Sequence, residues 1–277
     1  MDIFTSLVIP ALVGIGIGIL SGMLGIGGGT VLVPIFRLAF GMSPLASTAT
    51  SLFAIIPTSI SGVVAHARAK TCVPKLGLAL GVGGAVMSPM GVWLASVSPG
   101  WLVICVAAIV IGFSALKMFK KAVKCAPTPR AGRAGGSSQD ASAKAVPDQP
   151  VLSRKQYLQG ACIGLIAGLA SGYVGVGGGF IMVPLMLAVL DIPMSLASGT
   201  SLIAIMILAI PGVIEQGLLG NIEYLAGIAI VVGSIPGALV GARLVRVVPE
   251  RQLRFIFGGF LLVAAVMLML NEFGILG

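Results

Sequence analysis

Charge is scarce in this sequence. Only 9% of its 277 residues are Asp, Glu, Lys or Arg, where a soluble domain carries about 25%. Aromatic residues make up 6%, and there is a single histidine, His66. The four cysteines, Cys72, Cys105, Cys125 and Cys162, contain no C-x-x-C pair. These scarcities argue against a zinc site and a disulfide framework. No nucleophile–base pair, metal-ligand set or cofactor motif is present to build an enzyme on, so no cofactor or metal is expected. The apolar run that begins at Ile3 has no basic stretch before it and no A-x-A site at its end. It is expected to be a membrane segment rather than a cleaved leader.

What the chain does have is apolar surface. Hydrophobic residues are 57% of the sequence and the mean hydropathy is +1.12. A soluble core of this length could not hide that much, whereas a lipid bilayer can solvate it. The net charge of +9 is not a nucleic-acid footprint, because its positions are wrong for one. Nine of the seventeen basic residues fall between Lys117 and Lys155. The rest are Arg37, a cluster at Arg68, Lys70 and Lys75, and a cluster at Arg243, Arg246, Arg251 and Arg254. Basic clusters between apolar spans are what the positive-inside rule produces. Cys105 and Cys162 lie in apolar runs and read as packing residues in the lipid phase. His66, beside a basic loop, is expected at the surface.

The chain is one module written twice. Ser21-Gly22-Met23-Leu24-Gly25-Ile26-Gly27-Gly28-Gly29 returns as Ser171-Gly172-Tyr173-Val174-Gly175-Val176-Gly177-Gly178-Gly179, offset by 150 residues. The same offset relates Val33-Pro34 to Val183-Pro184, Thr50-Ser51-Leu52 to Thr200-Ser201-Leu202, and Gly62 to Gly212. Each half reads as five apolar segments, at 3–21, 30–41, 45–65, 76–96 and 100–119, then 157–171, 180–190, 195–214, 222–243 and 252–271. The expected class is an all-α membrane protein. A first transmembrane repeat occupies 1–119, a polar linker 120–153 and a second repeat 154–277. The linker is rich in Ala, Gly, Ser, Pro and charge, and reads as a flexible loop.

Charge sets the expected orientation. With the basic linker in the cytoplasm, the Arg68–Lys75 loop is also inside, as is the Arg243–Arg254 loop. The uncharged turns at Ser96–Gly100 and Gly41–Pro44 fall outside, with the acidic loop from Glu215 to Glu223 and both termini. Trp93 and Trp101 flank one outer turn, as interfacial aromatics do. Arg68–Lys75 inside and its repeat partner outside means that the second copy is inverted, the plan of many secondary transporters. Segments two and seven, at about a dozen residues, are too short for a full span of about 20.

Short, glycine-interrupted segments at matching places in two repeats point to a transport site. Gly27, Gly28 and Gly29, like Gly177, Gly178 and Gly179, are poor helix formers, and they let backbone amides approach a ligand closely. A helix begins after each run, and its free N–H groups and dipole favour an anion. Hydroxyls stand nearby: Ser21 and Ser171 before the runs, then Thr48, Thr50 and Ser51 with partners Ser198, Thr200 and Ser201. Arg37 is a basic residue inside an apolar segment, which marks it for function, though near a segment end it can also snorkel. Plainer readings exist for each. Gly14, Gly16 and Gly18 read as close-packing glycines, and membrane Ser and Thr often bond back to their own helix. Pro34, Pro57, Pro184, Pro211 and Pro236 either kink helices or start them.

The doubled S-G-x-x-G-x-G-G-G-x-x-x-V-P signature, at Ser21–Pro34 and Ser171–Pro184, resembles the TauE/SafE sulfite exporter family, also called the 4-toluene sulfonate uptake permease family. The resemblance covers nearly the whole chain. It implies a transporter of sulfite, a sulfonate such as sulfoacetate, or a related organosulfur anion. The residues alone give only a small anion. The expected partners are that anion and the lipid bilayer of a bacterial inner membrane, not nucleic acid. An anion channel and a small-carboxylate carrier are the alternatives.

Overall fold

The computed structural model describes residues 3–124, 153–174, 177–245 and 247–272, and all of their regular structure is helical. The helices are α1 (Ile3–Leu24), α2 (Gly29–Phe40), α3 (Pro44–Arg68), α4 (Pro74–Val97), α5 (Gly100–Lys124), α6 (Arg154–Val174), α7 (Gly179–Leu185), α8 (Met194–Leu218), α9 (Tyr224–Leu244) and α10 (Glu250–Glu272). A π-helical turn, Met186–Leu190, extends α7. Among the described residues, five helices are long and apolar enough to cross a membrane: Leu45–Arg68, Pro74–Val97, Arg154–Val174, Met194–Leu218 and Tyr224–Leu244. The chain is an all-α, multi-pass membrane protein.

The helices are inside-out relative to soluble ones. On α4 five of the eight buried residues are small, at Gly77, Gly81, Gly84, Ser88 and Gly91, beside Leu76, Leu80 and Val92. Its large side chains Leu78, Val82, Val86 and Met90 are exposed. In lipid there is no hydrophobic gain from hiding such side chains from tails as apolar as themselves. Close backbone packing over small residues drives association instead.

That packing follows the repeat. A Cβ added at Gly14, Gly18 or Gly22 of α1 would run into the backbone of Ile230, Ser234 or Ala238 of α9. One added at Gly164, Gly168 or Gly172 of α6 would run into Leu80, Gly84 or Ser88 of α4. Each pair maps onto the other when 150 is added to one number and subtracted from the other. Each half therefore packs its first helix against the fourth helix of the other half. Gly16 departs from the expectation: it faces outward, with nothing near its Cβ position.

The repeat is inverted. The equivalent helices α3 and α8 meet with Gly62 facing Leu202 and Gly212 facing Leu52. Residue numbers rise on one helix as they fall on the other, so the two run antiparallel. Helices α5 and α10 are likewise antiparallel, with Phe119 stacked near Phe255 and Ala115 beside Gly258. Even the turns correspond. Left-handed backbone occurs at Lys70 and its partner Gly220, and at Gly41 and its partner Asp191.

Several boundaries differ from expectation. Helix α5 continues to Lys124, so residues 120–124 are helical rather than part of the loop. The remaining linker residues, 125–152, lie outside the described residues. At its far edge, the Ser153 amide donates to Gln156 Oε1 at 2.8 Å, half of a capping box at the start of α6. Pro34, Pro57, Pro184, Pro211 and Pro236 all lie within helices, and Pro44 and Pro74 occupy first-turn positions.

His66 overturns its surface expectation. It is fully buried, with Nε2 donating to the Gly22 carbonyl at 2.8 Å and Nδ1 2.8 Å from Thr71 Oγ1. The basic loop beside it is exposed, but its own side chain turns inward onto α1. Its repeat partner, Gln216, is also buried and accepts from Asn221 Nδ2 at 2.8 Å.

Candidate functional site

Both glycine runs break the helical path in the same way. Gly27 and Gly28 have φ of 78° and 85°, and Gly177 and Gly178 have φ of 86° and 66°. This left-handed backbone is nearly free only for glycine. Gly29 and Gly179 are the first residues of α2 and α7.

The two breaks meet. A Cβ on Gly179 would lie 2.7 Å from the Gly25 oxygen and 2.8 Å from the Ile26 Cα. Ile55 of α3 and Ile205 of α8, a repeat-related pair, fill the space beside both breaks. Ile205 Cγ2 stands 2.9 Å from the Cβ position of Gly27, and Ile55 Cδ1 stands 2.9 Å from that of Gly177. Both isoleucines are fully buried and cluster with Leu52 and Ala209. Sequence reasoning missed them, because an isoleucine in an apolar segment carries no signal until its neighbours are known.

The hydroxyls divide into two groups. Ser201 Oγ donates to the Gly25 carbonyl at 2.6 Å, sharing its proton with Ser198 O at 2.8 Å. It thereby satisfies a carbonyl left over where α1 ends. Thr50 Oγ1 accepts from the Glu223 amide and Thr200 Oγ1 from the Val73 amide, each at 3.0 Å. These two hydroxyls anchor the starts of α9 and α4. Ser51 donates to Thr48 O, and Ser198 to Met194 O, each at 2.9 Å; Thr48 is half-buried.

Ser21 and Ser171 are different. Each is 1% exposed, and neither Oγ has a hydrogen-bond partner. Ser21 Cβ lies 3.7 Å from the Cβ position of Gly28, and Ser171 Cβ lies 3.3 Å from that of Gly178. Both hydroxyls therefore sit against the breaks. An unsatisfied buried polar group costs about 1–3 kcal/mol, so its retention at two matched places calls for an explanation. Arg37 is half-buried in the last turn of α2. Nine residues of helix place it about 14 Å along the axis from Gly28.

These elements can hold a small anion without a buried cation. Helix starts and hydroxyls supply donors, and the glycines remove the side chains that would keep an anion's oxygens away. Among the described residues no cluster of three metal-binding side chains occurs.

Comparison with known proteins gives the same architecture a lineage. The family model for the sulfite exporter TauE/SafE matches residues 10–268. The Probable membrane transporter protein YunE of Bacillus subtilis is 26% identical, over 87% of this chain and 89% of its own length. YdhB, a second probable membrane transporter of that organism, is 29% identical over 86% of this chain and 90% of its own. The probable membrane transporter MJ0441 of Methanocaldococcus jannaschii is 24% identical over 95% and 96%. No solved structure matches the chain. The family match thus runs along nearly the full length of the chain, and this chain belongs to the TauE/SafE family of membrane transporters.

Proposed function

We propose that the protein is a secondary carrier that exports a small sulfur-containing anion, sulfite or an organosulfonate such as sulfoacetate. The anion is held near the middle of the bilayer at the paired breaks, by the residues around Gly27–Gly29 and Gly177–Gly179 with Ser21 and Ser171. The observation that carries this reading is the pair of buried, unpartnered serine hydroxyls set against two touching glycine breaks. Family membership supports transport, and the family's description as sulfite exporters supports sulfite.

A carrier is favoured over a channel because Ile55 and Ile205 close the space between the breaks with fully buried apolar side chains. The repeats rock around that seal, and the positive-inside count places the linker in the cytoplasm and both termini outside.

A thermal-shift screen tests the reading. Purified protein is challenged with sulfite, thiosulfate, sulfate, several sulfonates and matched carboxylates. A ligand that binds the folded state raises the melting temperature once its concentration exceeds the dissociation constant. Stabilisation by one sulfur anion class supports the proposal. Stabilisation by carboxylates alone removes sulfur from it.

A further inference from the structure

The two halves of the centre are not equivalent. On α3, residues 47, 51, 55 and 59 form a continuous stripe, each next to the one a turn before it and drifting by about 40° per step. They are Ser47, Ser51, Ile55 and Ser59, all fully buried. The matching row on α8 is Ala197, Ser201, Ile205 and Ala209, equally buried. The middle of these rows faces the breaks, since Ile55, Ile205 and Ser201 make the contacts with Gly25, Gly27 and Gly177. The first repeat thus carries two hydroxyls where the second carries methyl groups. A third difference lies in the first turn of α2, where Thr30 is buried and its partner in the second repeat is Phe180.

Ser47, Ser59 and Thr30 share a further property. Each hydroxyl is buried and has no hydrogen-bond partner, as with Ser21 and Ser171 at the breaks. A helical Ser or Thr normally satisfies itself by donating to a carbonyl one turn back. Thr58 does so to Ala54 O at 2.8 Å. Hydroxyls held off that default keep their proton for something else, and the ionised oxygens of an anion accept it. The row on α3 is long: twelve residues separate Ser47 from Ser59, about 18 Å of helix axis. No small anion touches both ends at once, so the row reads as successive stations rather than one cage.

We infer that, beyond the matched serines Ser21 and Ser171, the anion's route through the protein is one-sided: Thr30 holds it at the start of α2, Ser47 and Ser59 hand it along α3, and Phe180, Ala197 and Ala209 set apolar side chains at the matching places of the second repeat. This rests on the reading of the breaks as the anion site and adds which repeat supplies the further hydroxyls of the route. Helix α2, twelve residues long, supplies the helix start.

The test moves the hydroxyl row. Ser47→Ala with Ser59→Ala gives α3 the side chains that α8 already carries at those places. Adding Ala197→Ser and Ala209→Ser then moves the row to α8. Thr30→Val removes the α2 hydroxyl at constant shape, and Thr30→Ser keeps it. Radiolabelled sulfite flux into proteoliposomes and sulfite affinity by melting shift are the readouts, with gel filtration confirming folded protein. Thr30→Val is expected to weaken sulfite binding about tenfold, the value of one hydrogen bond to a charged group. Thr30→Ser retains affinity. The double variant slows flux about tenfold without lowering the melting temperature of the ligand-free protein, and the quadruple variant stays slow. Recovery of wild-type flux in the quadruple variant would show a two-sided route and overturn the inference. Wild-type flux in the double variant would overturn it too, and that arm decides the matter should the quadruple variant not fold. If the wild type binds a carboxylate and no sulfur anion, the variants are scored with that carboxylate, so the sulfur reading falls alone. A wild type that binds neither class sinks both.

Discussion

His66 Nε2 donates to the carbonyl of Gly22, 2.8 Å away, joining the end of α3 to the turn of α1 that precedes the first break. Its repeat counterpart is Gln216, a side chain of similar reach. His66→Gln is therefore expected to melt within about 2 °C of wild type. His66→Ala strands the buried Gly22 carbonyl, while the Thr71 hydroxyl keeps its bond to the carbonyl of residue 66. It should cost about 2 kcal/mol, or roughly 4–8 °C for a chain of this size. Equal melting of wild type and His66→Ala would show that the bridge contributes nothing.

The glycines of α1 and α6 separate into two kinds. A side chain at Gly18 or Gly168 would drive into the backbone of Ser234 or Gly84, while Gly16 has open space. Gly18→Leu and Gly168→Leu should each abolish monodisperse protein in detergent. Gly16→Ala should be neutral or stabilising by about 1 kcal/mol, the helix-propensity gain. Normal folding of both leucine variants would refute close packing as the reason for those glycines.

Ser201 bridges α8 to the Gly25 carbonyl. Ser201→Ala should lower stability by about 1–2 kcal/mol. It should also raise amide exchange at residues 25–30 more than elsewhere. Uniform exchange across the chain would mean that the bridge does not hold the break in place.

Orientation is testable through thiols. Cys72, in the turn between α3 and α4, is buried, and burial pushes its thiol pKa up. Less of it is thiolate at any given pH, so it should resist maleimide at pH 7 and yield only as pH rises. Cys125 is then the reporter of the linker. A membrane-impermeant maleimide should label it in inverted vesicles and not in right-side-out ones. The reverse pattern would invert the proposed topology.

The fold was largely legible because the repeat is copied at constant offset. Gly22 and Gly172, or Thr50 and Thr200, announce equivalent places before any contact is known. Loop charge was enough to predict inversion, which the antiparallel α3 and α8 then display. The centre was only half legible. Glycine runs declare a helix break, and Ser21 and Ser171 beside them invite attention. Ile55 and the buried state of His66 were hidden, since one looks like any lipid-facing residue and the other sits next to lysines. Thr50, Thr200 and Ser201 show the converse. Their repetition drew attention to them, but their hydrogen bonds go to the protein's own backbone.

The exchange of first and fourth helices between the halves has a consequence for biosynthesis. Gly14 packs on Ile230, a partner 216 positions later by subtraction of those numbers. At about 5–20 residues per second of translation, α1 waits about 10–40 seconds for the surface that covers its glycine stripe. During that interval α6 can already close onto α4, whose contacts are nearer in sequence. The second repeat's first helix therefore settles early and the first repeat's settles last. A ribosome stalled before α9 would leave a half-built carrier with its oldest helix still unclaimed in the bilayer, a natural substrate for membrane proteases.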